Sequence, residues 1–274
     1  MTILDEIAQR TRERIAAEQA RTPLADVRTA AEARVAAERA AGTFGAFPFE
    51  AALRTADFGL ICEVKRASPS KGVIAEDFHP LAIARDYETA GADAISCLTE
   101  PHWFLGSDEY LEAIAHEIAT PVLRKDFTID EYMIYQAKAL GATAVLLICA
   151  ILDDAQLAAY GALAEELGLS ALVEAHDARE VERALGAGAR ILGVNNRNLK
   201  DFSVDLANAN DLRANVPDEV LFVAESGVTC PADIATMAAA GADAALVGEA
   251  LMRSDAKADL VAAMRAAAKE GRPA

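Results

Sequence analysis

Gly141-Ala142-Thr143-Ala144-Val145-Leu146-Leu147-Ile148 is a glycine leading within three residues into an unbroken apolar run, and the device recurs along the chain. Gly91-Ala92-Asp93, Gly188-Ala189-Arg190 and Gly241-Ala242-Asp243 introduce further apolar runs in the same way. Glycine after an Ala-rich helical stretch reads as a helix stop, because the left-handed backbone that closes a helix carries no β-carbon penalty there. The run that follows is short and apolar at successive positions, which describes a strand buried on both faces. Eight such runs are read, over residues 60–65, 94–99, 122–125, 144–148, 171–174, 191–195, 221–225 and 244–248, with helical sequence between them. Doubly buried strands alternating with helices make a parallel sheet. Eight units in 274 residues fit a closed (β/α)8 TIM barrel better than an open doubly wound sheet. The open sheet is the competing architecture, and no Gly-x-Gly-x-x-Gly follows the first strand to support it.

Working outward, residues 1 to about 40 are rich in Ala, Glu and Arg and read as helix, broken at Thr22-Pro23. Thr43-Phe44-Gly45-Ala46-Phe47-Pro48-Phe49 reads as a connector that lays aromatic rings on the body. Residues 1–274 are therefore expected to form one barrel domain, with residues 1–50 as an N-terminal helical extension. The hydrophobic fraction of 53% is ample for a core. A net charge of -17 argues against a nucleic acid held through its phosphates and against an anionic membrane surface, so an anionic substrate must be drawn in by local donors. The acidic start lacks the layout of a signal peptide, and the longest apolar run is about half of the roughly 18 residues of a membrane helix, which makes a cytoplasmic location the expectation. Cys62, Cys97, Cys149 and Cys230 are far apart and read as reduced thiols. The four histidines show no metal-ligand spacing, so no metal is expected.

A barrel of this kind places its chemistry at the C-terminal ends of its strands. In Ile61-Cys62-Glu63-Val64-Lys65-Arg66-Ala67-Ser68-Pro69-Ser70-Lys71-Gly72, Glu63 and Lys65 share a strand face with α-carbons roughly 7 Å apart. Later strands end in Lys125, in Glu174, in Asn195 and Asn196, and in Glu225 and Ser226. Two lysines and three carboxylates at one mouth are a set of acids and bases. The bland alternative is a ring of ion pairs bordering the core. The loops Glu225-Ser226-Gly227-Val228 and Val247-Gly248-Glu249-Ala250 each put a glycine where such barrels bring backbone amides against a phosphate. The side chain of Glu249 is expected to turn away from that anion.

Glu63-x-Lys65-x-x-Ser68-Pro69-Ser70-x-Gly72 resembles the signature of the indole-3-glycerol phosphate synthase family. Residues 98–107, 123–127, 172–174, 193–199 and 224–227 resemble the same family in order, with Trp103 where Tyr is frequent and Asn198 where Asp is usual. The resemblance implies ring closure, decarboxylation and dehydration of 1-(2-carboxyphenylamino)-1-deoxyribulose 5-phosphate without a cofactor. It implies Lys125 as the acid that protonates the ribulose carbonyl, from an environment expected to lower its pKa. Lys65 would hold the substrate carboxylate and help expel water, and Glu63 or Glu174 would take the ring proton. Asn195, Arg197, Glu225 and Ser226 would hold the sugar hydroxyls and the lysines, with Ser68, Gly227, Gly248 and Glu249 completing substrate binding. The resemblance also implies that the connector before the barrel caps the mouth. A phosphoribosylanthranilate isomerase and a non-catalytic phosphosugar-binding barrel are the alternatives. The expected partner is the small-molecule substrate, with the chain a monomer or weak homo-oligomer.

Overall fold

The computed structural model describes residues 3–197 and 203–272. Asn198 and Leu199, which the resemblance includes, lie outside the described residues. Helices α1 (Ile3–Arg21), α2 (Leu24–Ala41) and α3 (Pro48–Thr55) precede strand β1 (Gly59–Val64). A hairpin of β2 (Ala67–Ser68) and β3 (Gly72–Val73) leads to α4 (Pro80–Thr89) and β4 (Ala94–Leu98). Helix and strand then alternate through α5 (Asp108–Glu117), β5 (Val122–Lys125), α6 (Glu131–Leu140), β6 (Ala144–Ile148), α7 (Asp154–Glu166) and β7 (Ser170–Ala175). The remainder is α8 (Ala178–Gly186), β8 (Ile191–Asn195), α9 (Ala207–Arg213), β9 (Leu221–Glu225), α10 (Pro231–Ala239), β10 (Ala244–Val247), α11 (Glu249–Arg253) and α12 (Lys257–Gly271).

Strands β1 and β4 to β10 pair in parallel in chain order, and β10 returns to β1. This is the closed (β/α)8 barrel that the repeated junctions predict. Gly91, Gly141, Gly188 and Gly241 all have φ between 83° and 94°, the left-handed stop that lets each helix hand over at once to the next strand. The third residue of the junction has a use of its own. Asp93, Thr143 and Asp243 each accept an amide near the start of the preceding strand, from Leu60, Val122 and Phe222, at 2.8 Å. One tripeptide thus ends a helix and ties adjacent strands together. Strand ends fall within a residue of expectation, and Lys65, Thr99 and Gly248 stand just beyond β1, β4 and β10.

Alternation along each strand divides the core in two. Outward residues such as Leu60, Cys62, Val64, Val145 and Leu147 pack under the helices. Inward residues such as Ile61, Leu123, Leu146, Leu172, Val223 and Leu246 fill the barrel. Cys62, Cys97 and Cys149 are buried and Cys230 is exposed, all as free thiols. No helix among the described residues is long and apolar enough to cross a membrane.

The N-terminal extension is helical and breaks at Thr22-Pro23 as expected, but its connector departs from expectation. The connector between α2 and α3 lies at the floor of the barrel rather than at its mouth. Phe44 packs at Gly168, before β7, and Phe47 lies under the Arg190 guanidinium, before β8. Helix α3 then plugs the floor: Phe49 and Leu53 are fully buried, Leu53 stands against Gly59 at the start of β1, and Glu50 pairs with Arg190 at 2.9 Å. The segment at the mouth is α1, whose Leu4 and Ile7 join the inward-facing core from above. Helix α2, held along α6 by the Lys138–Glu38 pair at 2.7 Å, spans the distance between them.

Candidate active site

A cavity of about 490 Å³ opens at the C-terminal ends of the strands. Glu63, Lys65, Ser68, Lys125, Glu174, Asn195, Arg197, Glu225, Ser226, Gly227, Gly248 and Glu249 all line it, so the structure brings every site residue expected from the sequence to one place. The strand period explains this. Glu63, Glu174, Asn195 and Glu225 occupy the last inward position of their strands, directly above the apolar layers. Asn196 points the other way, with its side-chain oxygen accepting the Ala209 amide at 3.0 Å.

Two ion-paired groups stand in the mouth. Lys65 Nζ donates to Glu63 Oε1 at 2.5 Å. Lys125 Nζ donates to Glu225 Oε2 at 2.8 Å and to Glu174 Oε2 at 3.2 Å. Contrary to the sequence expectation, the Lys125 ammonium has its pKa raised. Burial alone would lower it, but the charges of Glu225, Glu174 and Glu63 outweigh desolvation. The two carboxylates that share it diverge. Burial pushes Glu225 up to about 7, with Glu174 and Glu63 adding repulsion against the pull of Lys125. Burial would also raise Glu174, yet Lys125, His176 and the Asn195 amide hold it below its ordinary value. A buried carboxylate kept ionised beside one that takes up a proton is the environment that separates base from acid.

The loops around these groups are tightly set. Asn195 Oδ1 accepts the Arg197 amide at 3.0 Å, leaving its side-chain amide for Glu174. Ser226 adopts φ 67°, a left-handed conformation uncommon for a residue with a β-carbon, and Asn196 Nδ2 donates to its carbonyl at 3.3 Å. Val204 and Leu206 lie over Gly227. Glu249 turns its carboxylate to Arg253 Nε at 3.0 Å, the outward direction expected of it, and Lys71 Nζ stands 4.0 Å from the same group. At Gly248 a β-carbon would fall on Glu63 Oε1 and within 2.7 Å of Lys65 Nζ, so this glycine makes room for the first ion pair as well as for a ligand.

Several contributors were not read from the sequence. Ile3, Leu4 and Ile7 form an apolar side of the cavity with Phe104. Gly193 has its space filled by Glu225 Oε1; a glycine inside a buried strand is the signal that could have indicated a close approach. Arg14 of α1 donates to both oxygens of Asp126, each at 2.9 Å, beside Lys125. Asp126 is fully buried and held below its ordinary pKa: burial would raise it, and Arg14, Arg124 and the Thr99 hydroxyl outweigh that. Such a carboxylate stabilises the fold above the ordinary carboxylate range, and the contribution is lost as pH falls through it. Arg14→Met is expected to destabilise by the low end of about 3–5 kcal/mol, because Thr99 and Arg124 still face Asp126, and to flatten the acid limb of stability. Urea midpoints measured from pH 3 to 7 check this; an unchanged midpoint at neutral pH would remove the pair from the fold's support.

A family model described as Indole-3-glycerol phosphate synthase matches residues 4–264. The chain belongs to the indole-3-glycerol phosphate synthase family. Proteins of that name support the assignment at substantial identity. The one from Lacticaseibacillus casei is 50% identical over 269 residues, covering 96% of this chain and 98% of its own. The one from Ruminiclostridium cellulolyticum is 56% identical over 208 residues, covering 76% and 80%. Among solved structures, thiamine phosphate pyrophosphorylase from Pyrococcus furiosus matches with a TM-score of 0.60 at 17% identity, covering 80% of this chain and 98% of its own. That likeness speaks to the barrel alone. In this chain's mouth, Lys65 and Lys125 are each bound to their own carboxylate partners.

Proposed function

We propose that the chain is an indole-3-glycerol phosphate synthase, a carboxy-lyase of tryptophan biosynthesis. It closes the ring of 1-(2-carboxyphenylamino)-1-deoxyribulose 5-phosphate and releases carbon dioxide and water. The observation that carries the reading is the pair of ammonium groups, Lys65 and Lys125, standing among Glu63, Glu174 and Glu225 in one mouth. The aromatic carbon bearing the carboxylate attacks the ribulose carbonyl, and Lys125 gives its proton to the developing alkoxide. Lys65 holds the departing carboxylate, whose loss as carbon dioxide restores the benzene ring, and then assists loss of the hydroxyl as water. Glu174, the carboxylate kept ionised, accepts the proton lost from the adjacent N-bound methylene as the pyrrole ring forms. Glu63 keeps Lys65 in place. Asn195, Arg197 and Ser226 address the sugar, and Ile3, Leu4, Ile7 and Phe104 take the anthranilate ring. Ser68, Gly227, Gly248 and Glu249 receive the phosphate end, largely through backbone amides.

The same reading makes residues 1–274 one barrel domain with residues 1–50 as its extension. It places the protein in the cytoplasm as a monomer or weak homo-oligomer whose partner is its substrate. Turnover of the carboxyphenylamino ketose with stoichiometric carbon dioxide tests it, since an isomerase of the same fold or a binding scaffold releases none. Lys65→Ala should slow the dehydration step, and Lys65→Arg should not restore it, because a guanidinium keeps its proton. Rapid single-turnover product formation in the arginine variant would reduce Lys65 to a fixed positive charge.

A further inference from the structure

A further ionisable group backs the proton-handling residues from outside the cavity. His176 follows β7 directly and does not line the cavity. Its Nδ1 lies 3.1 Å from Glu180 Oε2, which also accepts the His176 backbone N–H at 2.9 Å. Its Nε2, buried and without a hydrogen-bond partner, lies at ion-pair distance, 3.4 Å, from Glu174 Oε1. Each ring nitrogen therefore faces a carboxylate. A neutral imidazole turns a lone pair on one of them, whereas an imidazolium presents an N–H and positive charge to both. The charge of the surroundings points the same way. Glu174 from β7, Glu180 from α8 and Glu225 from β9 act on the ring. Lys125 from β5 is bound on the far side of Glu174, and Arg183 of α8 is committed to Asp154 and to the carbonyls of Cys149 and Leu152. Neutral Asn208 of α9 donates to the backbone carbonyls of His176 and Asn195, each at 3.3 Å.

We infer that His176 is a positioning residue that stands as an imidazolium behind Glu174 and fixes that carboxylate, ionised and oriented, as the proton acceptor. The inference rests on the role given to Glu174 above. Burial alone would favour the neutral ring, but the bond to Glu180 and the charges of Glu174, Glu180 and Glu225 outweigh it, so the charged form persists above the ordinary imidazole range. Activity that depends on it is complete below that raised value and declines as pH rises through it.

The test pairs kinetics with a direct titration of the His176 ring carbon by NMR. In the parent the ring should titrate above its ordinary value, near 6.5, and the alkaline decline of kcat should follow it. Glu180→Gln keeps the imidazole but should move both the ring titration and the kcat decline to lower pH. His176→Gln should lower kcat roughly 10-fold, leave KM within about 2-fold, and abolish that decline. A ring titrating at or below its ordinary value, or a kcat profile unmoved in Glu180→Gln while the ring titration shifts, overturns the inference. Should His176→Gln fail to fold, Glu180→Gln alone decides it. In Glu174→Gln the ring titration should fall as well. An unmoved titration overturns the pairing, whereas parental turnover in that variant overturns the acceptor role of Glu174, so the two failures are told apart.

Discussion

Lys125→Ala is expected to lower turnover by roughly 100-fold or more while phosphosugar binding survives. The lysine is the shared cation of Glu174 and Glu225, and no other described ammonium lies within ion-pair distance of either. Its removal takes away the proton donor for ring closure and leaves two buried carboxylates facing each other. The raised pKa of Lys125 does not argue against the assignment. The acceptor is an alkoxide forming in a desolvated site, a much stronger base than water, and an ammonium that stays charged across the neutral range is always loaded. Turnover within a few-fold of the parent would transfer the acid role elsewhere. Glu225 gives the same cluster a signature in stability. Folded, it stays protonated up to about 7, whereas an unfolded glutamate ionises near 4.3. Between those values the folded state holds the extra proton, so the Glu225 contribution to stability declines as pH rises through the window. Glu225→Gln should flatten that decline in unfolding midpoints.

Gly248→Val is expected to cut turnover by roughly 100-fold and also to raise KM. Sequence reasoning, which saw only a phosphate approaching this glycine, predicts a change chiefly in KM. The structure adds that the β-carbon would displace Glu63 and Lys65, both ends of flexible side chains that can move without unfolding the barrel. The catalytic pair is thus shifted and the phosphate crowded by one substitution. Inorganic phosphate should compete with substrate in the parent and compete poorly in the variant. Preserved turnover with only KM raised would mean that the Glu63–Lys65 pair tolerates the shift.

The barrel was legible because its signals are local. A glycine stop followed by Ala-Asp or Ala-Thr and an apolar run is complete within eight residues, and a lysine or glutamate at the end of such a run can only point into the mouth or back under the helices. Glu63, Lys65, Lys125, Glu174 and Glu225 were found by that logic. Arg14 and His176 were not: Arg14 lies on an N-terminal helix, and His176, although it follows β7 directly, does not line the cavity. Arg14 matters through Asp126, 112 positions away, and His176 through a carboxylate on the next helix. The connector around Phe47 was placed at the wrong end for a related reason. Aromatic residues announce that they will be buried, not against what, and only the pairing of Arg190 with Glu50 and Phe47 reveals the floor.

That floor contact has a consequence for how the chain matures. The first three helices are synthesised before any of the surfaces that receive them: α1 waits for Asp126, α3 for Arg190 and for the Glu219 carbonyl that Arg54 reaches, and Leu53 for the Gly59–Ala244 seam, which exists only once the last strand has met the first. Phe49, Leu53 and Ile7 are apolar surface without a destination until ring closure. The extension therefore docks late, over sequence separations that slow folding. On a nascent chain these helices are the segment that a chaperone would find exposed longest.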